Sequence, residues 1–327
     1  MALDTFTALA PNQRNQTTNP TGDDLELVIE EFSGMVEGTL QRKSVLSGWI
    51  PMRTLKGTAT LTNYSVGETK LGKIERGVTP AASAADFSKI GVTIDTPILA
   101  RNTIMILDDF QTSFDARKEI AGEQGKKLGK FIDEALFIQA LKSSMLTSSP
   151  YGSAGHQGGT QQIVTDRADP AALFASLSTL LGKMEKKDVV VDQDDLMLAV
   201  PPDVFFALSQ SEMLVSTEYV TSEGNKIQNG IVLKAYGLPV VRSNNIPQSV
   251  ISGHELSNTR NSNAFDGDFS KVVGCVFSPR ALLAGQNIPL QSNVHFHDKD
   301  KHWYIDSWLA FSATPNRPEF AGLLTLA

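Results

Sequence analysis

Apolar positions recur at three- and four-residue steps along three stretches of the chain, and alternate every second residue along others. From Asp23, the residues Leu25, Val28, Phe32, Met35, Val36 and Leu40 fall on one stripe and predict a helix. Its acidic residues come early and Arg42 and Lys43 late, as the helix dipole favours. Gly34 and Gly38 weaken that helix in isolation, so it depends on packing against something else. A second stripe, Leu128, Phe131, Ile132, Ala135, Ile138 and Leu141, extends backwards through Gly125 and Ala121 and predicts one long helix over 114–141. A third, Leu173, Phe174, Leu177, Leu180, Leu181 and Met184, follows Asp169 as a cap and Pro170 in the first turn.

Alternation marks the extended segments. Ile90, Val92 and Ile94 share one face, and Pro97 then imposes an edge position or a bend. Val294 and Phe296 oppose His295 and His297; the chain turns through "DKDK" and returns along Trp303, Ile305, Ser307, Leu309 and Phe311 as a hairpin partner. "MLAV" reads as a short buried strand, followed by a Pro-Pro break and a helix carrying Phe205, Phe206 and Leu208. "IVLKAYG" reads as a short helix leading into a strand over Pro239–Arg242, and "EFAGLLTLA" as a last strand. Helices and strands joined by short links make an α/β or α+β core. Two regions stand apart. Residues 1–24, rich in Asn, Gln, Thr and Pro, read as a flexible arm. Residues 49–108 read as two long extended segments joined by a charged, glycine-rich region with too few large apolar residues to fold alone. Such a region implies contact with a neighbour.

Composition narrows the class. The 327 residues, 41% hydrophobic and 20% charged, are those of an ordinary globular chain with room for two domains. Its apolar runs are short and interrupted, and the start "MALDTFTALAPNQRN" has no basic segment before its apolar residues, so neither a membrane span nor a secretory signal is expected. The single cysteine, Cys275 in "KVVGCVFS", reads as a small buried hydrophobe in a reducing compartment. A net charge of −7 argues against a dedicated nucleic-acid binder. It suits a surface that encloses DNA without gripping it.

The candidate chemistry thins out on spacing. "GEQGKKLGK" resembles a phosphate cradle, but Gly122 and Gly125 are too close together, and neither Gly125-Lys126 nor Gly129-Lys130 is followed by Ser or Thr. Lys126, Lys127 and Lys130 fall off the apolar stripe, as on a structural rod whose glycines mark a close approach or a bend. "HFHDKDKH" gathers His295, His297, Asp298, Asp300 and His302, the one cluster of metal-ligand types, yet no spacing forces a third ligand to converge. "YGSAGHQGG", with Ser153 and His156, lacks the nucleophile elbow of a hydrolase. The acidic pairs Glu30–Glu31, Asp108–Asp109 and Asp194–Asp195 read as surface, and Trp49, Trp303 and Trp308 as core residues in strand-like contexts. No catalytic, cofactor or metal site is assigned.

The order of these features resembles the major capsid proteins of short-tailed phages of the T7 type, with the HK97-like capsid fold. The likeness rests on "EEFSGMVEGTLQRKSVLSGWIPMRTLKGTA", on "VTIDTPILARNTIMILDDFQTSFDARKEIAGEQGKKLGKFIDEAL", on "MLAVPPDVFFALSQ" with "GLPVVRSNNIP", and on "RPEFAGLLTLA". Residues 144–168 and 244–270 stand outside it. The resemblance implies an α+β chain with an N-terminal arm and helix (1–48) and an extended loop (49–89). A peripheral domain (90–168) would hold a spine helix at about 113–143, followed by an axial domain (169–285) and C-terminal strands returning to the peripheral domain (286–327). It implies self-assembly into hexamers and pentamers of an icosahedral shell around double-stranded DNA, in the virion and, during assembly, in the host cytoplasm. Expected partners are further copies of the chain, a scaffolding protein, a portal and a decoration protein. On the extended loop, Arg53, Lys56, Glu68, Lys70, Lys73, Glu75 and Arg76 are the candidate inter-subunit contacts. The alternatives are an encapsulin-like compartment shell and an α/β enzyme with a metal site near His295–His302.

Overall fold

A computed structural model describes residues 44–46, 48–67, 69, 73, 76–77, 84–106, 116–152, 157–191, 193–209 and 234–327. The expected N-terminal arm and its helix lie outside the described residues, as do Glu68, Lys70, Glu75, Ser153 and His156. The described residues fall into two compact units, one of 99–128 and 290–308, the other of 44–98, 129–289 and 309–327.

The long helix α1 (Ala116–Met145) runs unbroken through the glycine–lysine stretch. Ala121, Gly125, Leu128, Ile132, Ala135, Ile138 and Leu141 are all buried, as the stripe predicted, while Phe131 is half-buried and Lys126, Lys127 and Lys130 are exposed. Beyond Ile132 the helix is also buried off that stripe, at Asp133, Leu136, Phe137, Gln139 and Ala140. At Gly122 an added Cβ would meet nothing within 4 Å, so this glycine marks no close approach.

The larger unit is organised by a sheet. Its strands β5 (Thr160–Val164), β6 (Met197–Val200), β7 (Lys234–Ala235), β8 (Leu238–Arg242), β11 (Val272–Phe277) and β14 (Ala321–Leu326) lie in the order β5–β14–β11–β6–β8–β7. β11 is antiparallel to both its neighbours, with Cys275 opposite Leu323 on one side and Ala199 on the other. β6 and β11 are buried at every position, so they read as continuous apolar runs rather than alternating ones. Helix α2 (Pro170–Glu185) covers this sheet with the six apolar residues predicted for its inner face, and Asp169 caps it by accepting the Ala171 N–H. Gly322 admits that packing: an added Cβ would lie 2.8 Å from the Met184 sulfur. Helix α3 (Pro202–Ser209) follows the Pro-Pro break and buries Val204, Phe205 and Leu208, while Phe206 points outward.

Three sequence readings need correction. Asp194, read with Asp195 as surface, is buried, its carboxylate accepting from Arg280 at 2.6 Å and from the Val190 N–H at 2.8 Å. Lys234–Ala235 is a strand antiparallel to β8, not the end of a helix, because the Tyr236–Gly237 turn, with both φ positive, folds it back as a hairpin. Trp49 sits in a turn rather than a strand, its ring edge-on to Phe277 at 5.1 Å. In the same unit, β2 (Thr60–Val66) and β3 (Phe87–Thr93) pair in antiparallel register, and β1 (Met52–Thr54) runs parallel to β12 (Leu282–His297), with Met52 opposite Ala284. β9 (Val250–Ile251) and β10 (Gly267–Asp268) form a short pair.

The smaller unit holds the outer parts of β12 and β13 (His302–Pro315), β4 (Ile98–Met105) from Leu99 onward, and the first turns of α1; the strand order is β12–β13–β4. Gln124, the polar residue inside "GEQG", is buried here. Its amide donates to Asn102 Oδ1 (2.9 Å) and the Ile305 carbonyl (3.0 Å), and its carbonyl accepts from the Ser307 hydroxyl (2.7 Å).

Candidate functional site

The outer part of the β2–β3 pair holds several large apolar side chains that the chain's own core does not cover. The base of the pair is well built. Leu61, Val92 and Leu283 pack together with Leu55 and Ile90 against them. The Ile94 N–H donates to Ala59 (2.9 Å), the Leu55 N–H to Gln286 (2.8 Å), and the Thr60 and Thr93 hydroxyls meet at 3.2 Å. Gly285 lets the strands close, since an added Cβ would come within 3.1 Å of Leu61.

Farther out the two faces diverge. On one, Asn63 is held: its amide donates to the Tyr151 hydroxyl and to Asn316 Oδ1, both at 3.0 Å, while the Tyr151 hydroxyl donates to the same Asn316 oxygen. Burial pushes the Tyr151 phenol above its ordinary range, so it stays a neutral donor. Asn63, Tyr64, Ser65, Val66, Tyr151 and Arg317 line a cavity of about 300 Å3. On the other face, Tyr64 is 71% exposed, Val66 53% and Phe87 74%, with Val66 directly opposite Phe87 and Tyr64 opposite Lys89. Three large apolar side chains therefore stand together in solvent, where single exposed ones would be unremarkable. The sequence analysis did not single out this face, although Tyr64 and Val66 alternate with Asn63 and Ser65. The pairing with Phe87 was not legible there, because it depends on the register.

Of the charged candidates, Arg53 lies on β1, Lys56 in the turn before β2, and Lys73 and Arg76 in the segment between β2 and β3; all four are exposed. Glu68, Lys70 and Glu75 lie outside the described residues. Of the four described candidates, Arg53 alone is on a strand. The segment that bears them enters the fold through Ser44, whose hydroxyl donates to Asp133, a fully buried carboxylate on α1. The N–H groups of Val45 (2.9 Å) and Leu46 (3.1 Å) and the amide of Asn245 (3.2 Å) donate to the same carboxylate. Nothing in the sequence distinguished Asp133 from the other acids of a helix.

In the smaller unit the histidine cluster is an aromatic arrangement. His295 stacks on Tyr304 with ring centres 5.5 Å apart, His297 meets it edge-on at 5.6 Å, and Arg101 lies over it at 5.3 Å. Arg101 also grips Asp306 with two parallel bonds of 2.7 and 2.6 Å, and that carboxylate holds the guanidinium above its ordinary pKa. Among the described residues no three His, Cys, Asp or Glu side chains are grouped to hold a metal.

The family described as phage capsid protein matches this chain over residues 103–326. Among solved structures, the capsid of cyanophage P-SCSP1u superposes with a TM-score of 0.74 at 18% identity, covering 84% of this chain and 86% of that one. The mature capsid of bacteriophage PhiM1 gives 0.74 at 20%, covering 87% of each. A virus-like particle from Pyrococcus furiosus gives 0.55 at 12%, covering 91% of this chain and 99% of its own. No curated protein matches the sequence.

Proposed function

The chain belongs to the phage capsid protein family and has the HK97-like capsid fold, and from that premise we propose that it is the major capsid protein of a T7-type short-tailed phage. It is a shell protein of the virion. In this reading copies assemble into hexamers and pentamers that close around double-stranded DNA. Residues 1–48 serve as arm and helix, 49–89 as extended loop, 90–168 as peripheral domain, 169–285 as axial domain and 286–327 as returning strands. A scaffolding protein and a portal join during assembly in the host cytoplasm, and a decoration protein joins the finished shell.

The observation that carries the reading is the exposed apolar face of Tyr64, Val66 and Phe87 on a hairpin whose base is firmly packed. A chain acting alone gains nothing by holding such a face in water; a chain whose neighbour covers it gains roughly 25 cal/mol for each Å2 removed from solvent. Many modest contacts of this kind, repeated by symmetry, close a shell without any single tight one. The exposed charges Arg53, Lys56, Lys73 and Arg76, with Glu68, Lys70 and Glu75, would set the register of neighbouring copies rather than supply the affinity. Negative-stain electron microscopy of the purified chain tests this. Closed shells or capsomer rings are expected; a discrete small oligomer at every protein concentration would sink it.

A further inference from the structure

Residues 252–269 form a loop held at three points within the larger unit. Asn258 donates to both carboxylate oxygens of Asp95 at 3.0 Å, in the link between β3 and β4. Gln139 and Lys142 of α1 both donate to the Ala264 carbonyl, at 2.9 and 2.8 Å. The third point is His254. Its ring lies between Phe131 of α1 and Phe265 of the loop, 5.3 Å from each and within 19° of parallel to both.

The protonation state of that ring is written in its contacts. Nδ1 accepts the N–H of Leu256 at 3.1 Å, so the proton sits on Nε2, which is buried between the phenyl rings without a hydrogen-bond partner. A second proton could enter only at Nδ1, breaking the Leu256 bond and placing a cation in an apolar slot. We propose that this loop is an acid-released latch: protonation of His254 expels the ring from between Phe131 and Phe265 and frees residues 253–266 from α1 and from the β3–β4 link.

The surrounding charges fit a response centred on His254. Asp266 and Glu255 face it from its own loop; from α1, Lys142 faces Asp266, and Glu134 lies one turn beyond Phe131. Burial is the larger influence and lowers the His254 pKa, with the two carboxylates opposing it. Asp266 is held at about 2 by the Ser257 hydroxyl and the Gly253 and His254 N–H groups, so it stays ionised while the histidine titrates. The sign follows. The released imidazole protonates near pH 6.5 and the seated one lower, so the latch is full above about pH 6.5 and weakens as pH falls below it. The latch is a property of the single chain and stands or falls apart from the shell reading.

Hydrogen–deuterium exchange on the full chain, corrected for intrinsic rates, tests it at about pH 7.5 and about pH 5. Amides of 253–266 should lose protection by up to about thirtyfold at the lower pH, while β6, β11 and β14 keep theirs. His254→Phe keeps the stacking but takes no proton, and its loop should be equally protected at both pH values; Glu185→Gln, an exposed position on α2, should respond as the parent does. Should His254→Phe not fold, His254→Asn, whose side-chain oxygen can still accept from Leu256, must show the same flat response. Equal protection of the parent loop at both pH values, or a loss in the phenylalanine variant matching the parent's, overturns the proposal.

Discussion

Single residues decide how the described segments are anchored. Asp133 accepts from a hydroxyl, two backbone N–H groups and an amide, and it is fully buried. Asp133→Ala strands those donors without a partner, and unfolding in urea should show a loss of about 3 kcal/mol or more; Asp133→Asn, which keeps one acceptor, should lose less. Asp266 makes a prediction in pH. Its carboxylate is held at about 2 in the fold against 3.8 unperturbed, so its contribution is complete above about pH 4 and lost as pH falls towards 2. The stability difference between the parent and Asp266→Asn should therefore be full at neutral pH and vanish near pH 2. Neither residue could be picked out beforehand. An acid on a helix reads as surface until the fold shows which turn of chain lies over it.

At the scale of elements, glycines test how far a pattern can be read. The helical period of α2 named its buried face correctly, because a stripe of apolar residues has one way to leave water; that of α1 named one buried stripe but not the burial of Asp133, Leu136, Phe137, Gln139 and Ala140 on its other sides. The glycines inside them carried less information. Gly122 and Gly182 have open space where a Cβ would stand, so Gly122→Ala should raise stability by about 1 kcal/mol in denaturant titrations. Gly158 and Gly159 are the opposite case. An added Cβ at Gly159 would sit 2.4 Å from the Ser144 carbonyl oxygen, where the chain passes the end of α1, and Lys187 clamps that crossing by donating to both glycine carbonyls at 2.9 and 2.8 Å. Gly159→Ala should cost roughly 3 kcal/mol or abolish soluble expression. The two-residue strand Lys234–Ala235 escaped the pattern for a related reason: two residues are too few to show a period, and a turn geometry decides them.

For the whole molecule, folding and assembly should separate. Tyr64→Ser and Phe87→Ser remove apolar groups that touch solvent in the chain itself, so the subunit's stability should change by no more than about 0.5 kcal/mol. Shell yield by electron microscopy and sedimentation should fall sharply; normal shells from the double variant would show that this face is not an interface. Deleting residues 1–24 should likewise leave a soluble chain that assembles poorly.

Periodicity alone determined the long helix, the capped helix and the outer end of the β12–β13 hairpin, and short apolar runs marked the buried strands, since each depends on neighbours a few residues away; the inner part of β12 from Leu282 showed no such signal. Composition and spacing also led the reading away from nucleotide and metal chemistry. Only the tertiary structure decided that Phe87 stands beside Val66, that Asp133 anchors the chain at Ser44, and that His254 is seated between two phenyl rings. Those facts join residues from eleven to more than a hundred positions apart, and no local spacing encodes which distant groups will share a site once the core has closed.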